Sequence, residues 1–118
     1  MRGFTYIFSQ FIILLLIAQP LSGQNNRKEI RGLLNVGVAN AKKDPKRAIT
    51  SVLEAFELAK DSEDNWIISN VKQTMGYISN VQRDYSAAFI NFTDALKYLE
   101  KADTTDTYNM MMIHQHLG

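Results

Sequence analysis

The chain repeats itself at a fixed displacement. Moving the sequence by 40 positions lays Ala48 on Ala88, Ile49 on Phe89, Val52 on Phe92, Ala55 on Ala95, Phe56 on Leu96 and Ala59 on Leu99. Neighbouring polar residues match too, Asn40 with Asn80 and Asp44 with Asp84. Moving it by 42 lays Trp66 on Tyr108, Ile68 on Met110, Val71 on Ile113 and Met75 on Leu117. A unit of this length cannot bury its apolar face alone, so copies must stack to make a core.

The apolar spacing makes the unit helical. Ala48, Ile49, Val52, Ala55, Phe56 and Ala59 recur at steps of three and four, the period of one helix face. No stretch alternates long enough to form a strand, and only 6 Gly and 2 Pro interrupt the chain. The spacing predicts an all-α protein. A first helix is expected from about Glu29 to Lys42, with Ile30, Leu33, Leu34, Val36, Gly37 and Ala41 inward. Asp44-Pro45 marks the next start, because Asp accepts from free first-turn N–H groups and Pro lacks one. The second helix runs to about Lys60. After a polar break with cap candidates Asp61, Ser62 and Asp64, a third is expected over about 65–81, with Trp66, Ile68, Val71, Met75 and Ile78 inward. A fourth is expected over Tyr85–Lys101, and a fifth begins near Thr107 with Met110, Ile113 and Leu117 on one side. Small residues (Gly76, Ala88, Ala95) are placed for close helix contact; Tyr85, Phe89, Phe92, Leu96 and Leu99 are expected to fill the space around them.

The first 23 residues have a different character. Arg2 precedes an unbroken apolar run from Phe11 to Ala18, and Pro20, Ser22 and Gly23 lead to Gln24. That order is a secretory signal peptide, cut at Gly23/Gln24. The apolar run is shorter than the ~20 residues a spanning helix needs, so an uncleaved membrane anchor is the second reading. Residues 24–118 then carry 12 basic and 12 acidic side chains. Net neutrality gives no electrostatic reason to expect nucleic acid. The basic groups Arg27–Lys28–Arg31 and Lys42–Lys43–Lys46–Arg47 read as solvated faces. The chain has no cysteine, so neither disulfides nor a cysteine-linked lipid anchor can form. The expected location is outside the cytoplasm, in a bacterial periplasm.

Taken together, the repeat resembles the tetratricopeptide repeat, a helix–turn–helix unit of about 34 residues with a small residue in its first helix and an A-x3-F pattern in its second. Gly76, Tyr85, Ala88, Phe92 and Ala95 fall on that register. The first copy places Val36, Pro45, Ala48, Val52 and Ala55 there. Ser79 and Ala39 stand where the family has an aromatic, and Lys60 and Glu100 where it has a proline. The resemblance covers residues 29–118, as hairpins at about 29–60 and 65–101 and a third cut short at 107–118. It implies a short right-handed superhelix, a tetratricopeptide-like α-solenoid, that binds a protein or peptide along a concave face lined by the first helix of each hairpin. On this register Asn35, Val38, Lys42, Asn70, Gln73, Tyr77 and Asn80 are the ligand-facing candidates. The same polar residues would also serve a merely solvated face.

Residues able to carry chemistry are sparse. His114 and His116 lie about 200° apart on a helix and cannot share a metal from it. The glycines are scattered and form no phosphate loop. Ser62, Ser69 and Ser86 lack a nucleophile-elbow setting. Asp61, Glu63 and Asp64 lack EF-hand spacing, and suit the positive end of a helix dipole. Asn91-Phe92-Thr93 is a glycosylation sequon inside an expected helix. No catalytic residue, cofactor or metal is expected. The leading expectation is a non-enzymatic protein-binding scaffold. The alternative is the sensory N-terminal region of a membrane-bound bacterial histidine kinase or transcriptional regulator. A fifth helix without a partner would expose Met110, Met111, Met112 and Ile113; either it folds back as a cap or further repeats follow Gly118.

Overall fold

A computed structural model of the chain describes residues 26–102 and 107–117. The signal-peptide segment and its cleavage site lie outside the described residues. Five helices appear among them: α1 over 26–40, α2 over Pro45–Ala59, α3 over Asn65–Val81, α4 over Tyr85–Lys101 and α5 over Thr107–Leu117. They pack in sequential pairs, with α3 against α2 and α4, and α5 against α4. Helix α1 already includes residue 26 and stops at 40, so it sits about two residues earlier than the apolar pattern suggests.

The starts of α2, α3 and α4 share one device. Asp44, Asp64 and Asp84 stand at twenty-residue intervals, and each carboxylate accepts from the backbone N–H three residues on, at 3.2 Å. Such a cap contributes about 1 kcal/mol by satisfying a first-turn donor. Pro45 sits inside the start of α2. The helix ends differ. After α3, Arg83 takes a left-handed φ of 64°. Its N–H donates to Asn80 O at 3.0 Å, and the N–H of Asp84 donates to Ser79 O at 2.9 Å, closing a Schellman motif. After α1, the N–H of Asp44 donates to Asn40 O at 2.8 Å without a left-handed residue.

That difference shifts the internal register. Seven positions separate Gly37 from Asp44, and eight separate Gly76 from Asp84. The structural counterpart of Gly76 is therefore Gly37, and the expected counterpart Val36 is one position off. A Cβ on Gly76 would meet the Phe92 ring at 2.9 Å. A Cβ on Gly37 would meet Val52 Cγ2 at 2.5 Å and Ile78 Cδ1 at 3.4 Å. Each hairpin thus closes where a glycine on its first helix receives a large side chain from its second.

Two clusters make up the core. The first joins Ile30 and Leu34 of α1, Ala41 just after it, Ala48, Val52, Ala55 and Ala59 of α2, and Ile67, Ile68, Val71 and Ile78 of α3. The second joins Ala88, Phe92, Ala95 and Leu99 of α4 to Ile113 of α5. Trp66 packs against both. Ser69 is buried and its hydroxyl donates to Ala95 O at 2.7 Å, tying α3 to α4.

Several apolar residues lie elsewhere than the periodicity places them. Tyr85, Phe89 and Ile49 are 65%, 59% and 41% exposed, whereas the pattern puts them inside. Ile67 and Ser69 are buried without belonging to the expected α3 stripe. Helix α3 is held between α2 and α4, so it buries more than one face, while α2 and α4 each keep an outer face in solvent. Ile113, which a fifth helix without a partner would expose, is fully buried because α5 lies on α4. His116 stacks on Phe92 with ring centroids 4.7 Å apart and planes 6° apart.

The glycines provide a signed test. Gly→Ala inside a helix normally gains about 1 kcal/mol from propensity. Gly32→Ala, with nothing within 4 Å of the new Cβ, is expected to raise the melting temperature. Gly37→Ala and Gly76→Ala are expected to lower stability by about 1–3 kcal/mol through overpacking. Thermal melts of the three variants check the order; a gain for Gly76→Ala contradicts the close contact.

Candidate functional site

A groove of about 260 Å³ runs between α1 and α3, lined by Arg31, Leu34, Asn35, Val38, Asn70 and Thr74. Helix geometry builds both walls. Arg31, Asn35 and Val38 follow one another at four and three residues on α1, and Asn70 and Thr74 stand four apart on α3. Leu34 is the buried base. On the α3 wall, Asn70 Nδ2 donates to Trp66 O at 2.8 Å, and Thr74 Oγ1 donates to Asn70 O at 2.9 Å. These bonds hold both side chains against their own helix. The amide oxygen of Asn70 and the lone pairs of Thr74 retain acceptor capacity. Asn35 faces them from the α1 wall, exposed to solvent.

Of the expected ligand-facing residues, Asn35, Val38 and Asn70 meet in this groove. Lys42 is exposed in the α1–α2 link, away from that lining. Gln73, Tyr77 and Asn80 are half-buried on α3, outside the lining, and Tyr77 packs against the first core cluster. Sequence reasoning overlooked Arg31, Leu34 and Thr74. Two of them carried a signal: Arg31 lies four residues before Asn35, and Thr74 four after Asn70.

Beyond the groove, the contact between α1 and the start of α3 is braced by charge. Arg27 Nε and Nη2 reach Asp64 Oδ2 and Oδ1 at 2.5 and 2.9 Å, a bidentate pair between α1 and the start of α3. The guanidinium carbons of Arg27 and Arg31 lie 5.0 and 4.8 Å from the Trp66 ring centre. The two arginines, four apart on α1, thus both hold the indole that opens α3. Burial pushes the Asp64 carboxyl up. The Arg27 hydrogen bond, the first-turn N–H groups and the Arg27 charge together outweigh it and hold the carboxyl below its usual value. The same hydrogen bond raises the Arg27 guanidinium.

The remaining chemical candidates do not assemble. Among the described residues, no group of three or more His, Cys, Asp or Glu could hold a metal ion. His114 and His116 are exposed. Ser69 spends its hydroxyl on the α4 backbone. Among the described residues, no helix is long and apolar enough to cross a membrane. Comparison of the chain with protein-family models, with curated proteins and with solved structures gave no match.

The Asp64 brace gives a pH-dependent prediction. A carboxyl lowered in the fold adds stability that is complete above its unfolded value, about 4, and is lost as pH falls through the lower folded value. Asp64→Asn retains a capping side chain but loses the ion pair. It is expected to cost about 0.5–1 kcal/mol at pH 7. The difference from the parent is expected to narrow as pH falls below the unfolded value and through the lowered folded one, as Asp64 itself takes up a proton. Urea denaturation of both proteins across this range is the check.

Proposed function

We propose that this chain is an exported, non-enzymatic binding module, built as tetratricopeptide-like hairpins, that holds an extended segment of a protein or peptide in the groove between α1 and α3. The observation that carries the reading is the meeting of Asn35 and Asn70 across one groove whose base is apolar. A carboxamide offers both a donor and an acceptor, the complement of a peptide bond. Two of them on facing helices can grip a backbone whatever its sequence. Arg31, Val38 and Thr74 then meet the ligand's side chains.

The glycine contacts support the hairpin character of the fold. A small residue on the first helix and a large one on the second recur in both hairpins, as the repeat family requires. Stacked helical hairpins present the first helices side by side and so create an extended binding surface.

A display library of unstructured peptides panned against the full chain tests this. Recovered peptides are expected to lose about tenfold in affinity, ~1.4 kcal/mol, with either Asn35→Ala or Asn70→Ala. They are expected to lose more with both changes together. Peptides that bind the double variant unchanged, or a library that yields none, would overturn the assignment.

A further inference from the structure

A second groove lies against the other side of α3 and has a different chemistry. It is an open recess of about 180 Å³ between α2, α3 and α4. Val52 and Ile78, both buried, form its floor, and Ile49, Leu53 and Met75 its apolar walls. Ile49 and Leu53 are 41% and 49% exposed and stand four apart on α2, on one face of that helix. Ser79, Gln82 and Asn91 give the rim its polar groups. Large apolar side chains left accessible around a recess mark a contact surface.

One end of this recess is cationic. Lys46 stands one turn before Ile49 and shares its face of α2. Arg83 follows the rim residue Gln82 in the α3–α4 link. The two links lie at the same end of the fold, because Gly37 near the end of α1 adjoins Ile78 near the end of α3. Lys42, Lys43 and Arg47 are exposed at that end as well. The carboxylates of both links, Asp44 and Asp84, are committed to capping N–H groups. Among the described residues none of these five cations enters an ion pair.

We propose that this groove docks an amphipathic helix of a partner protein, with apolar side chains seated against Ile49, Leu53 and Met75 and acidic residues facing Lys46 and Arg83. A helix laid in a groove presents side chains at i and i+4, the spacing of the α2 wall. The net positive charge at that end, five cations against the carboxylates of Asp44 and Asp84, selects the sign of the partner and its direction in the groove. A lipid surface suits the recess less well, since the apolar floor of Val52 and Ile78 is out of its reach while lipid contact needs apolar groups at the crest. This groove shares no lining residue with the one between α1 and α3, so either assignment can fail alone.

The test is a display library of helix-forming peptides panned on the full chain. Enriched peptides are expected to carry apolar residues four apart and an excess of Glu and Asp. Leu53→Glu is expected to keep its melting temperature, the side chain being half exposed, and to weaken these peptides at least tenfold. Lys46→Glu with Arg83→Glu is expected to weaken them similarly and to recover binding to peptides whose acids are changed to Lys. Failure to enrich, absence of acidic bias, or binding unchanged by Leu53→Glu overturns the proposal. So does loss of the peptides through Asn35→Ala instead. Sedimentation showing self-association abolished by Leu53→Glu would give the groove to a second copy of this chain. Binding of phosphatidylglycerol vesicles abolished by the same change would give it to a membrane. Either result overturns the proposal.

Discussion

Two helices approach closely only where one of them lacks a side chain, and this protein uses that fact twice. Gly76 leaves room for the ring of Phe92, and Gly37 leaves room for Val52. The contact at Gly76 sets the distance between α3 and α4. It also sets what lies beyond. Phe92 presses on α3 on one side and stacks with His116 of α5 on the other. The same ring therefore closes the second hairpin and seats the fifth helix, and Ile113 is sealed beneath it. A glycine that costs helix propensity is kept because close packing between helices repays it in dispersion and burial.

From these contacts the two grooves follow. Helix α3 lies between its neighbours and is covered on more than one side, so its accessible strips are narrow. One strip faces α1 and carries Asn70 and Thr74; another faces α2 and α4 and carries Met75 and Ser79. The brace of Arg27 on Asp64, with Trp66 between the cores, holds α1 against α3 and so fixes the first groove's walls. Asp64 serves two ends at once, as cap of α3 and as anion for α1. A single carboxylate thus ties local helix formation to the placement of a neighbouring helix.

Part of the candidate site was legible before the fold. Asn35, Val38 and Asn70 could be placed on an outward helix face from the repeat register, because they lie off the apolar stripe. The pairing of Asn35 with Asn70 across one groove could not, since it depends on how α1 lies along α3. The same limit explains Gln73, Tyr77 and Asn80. They are off the central stripe of α3, yet helix packing leaves them half-buried and outside the groove. Arg31 read as one of a solvated basic group. Its stacking on Trp66 joins residues 35 positions apart, which no local pattern encodes.

What the sequence determined by itself is the set of helices and the starts of α2, α3 and α4. Apolar steps of three and four, Asp44-Pro45, and the polar breaks before Asp64 and Asp84 fix these through interactions within a turn or two of the chain. The recurrence of small and large residues likewise required hairpins. Only the tertiary structure decided which apolar side chains are covered. Phe89 and Phe92 are equally hydrophobic and three residues apart, yet one is 59% exposed and the other 1%. It also decided that Gly37, one position from Val36, is the counterpart of Gly76, because seven rather than eight positions separate it from the capping Asp that follows. Periodicity specifies the direction in which a side chain leaves its helix; burial depends on what stands opposite, and that is a property of the whole packing arrangement.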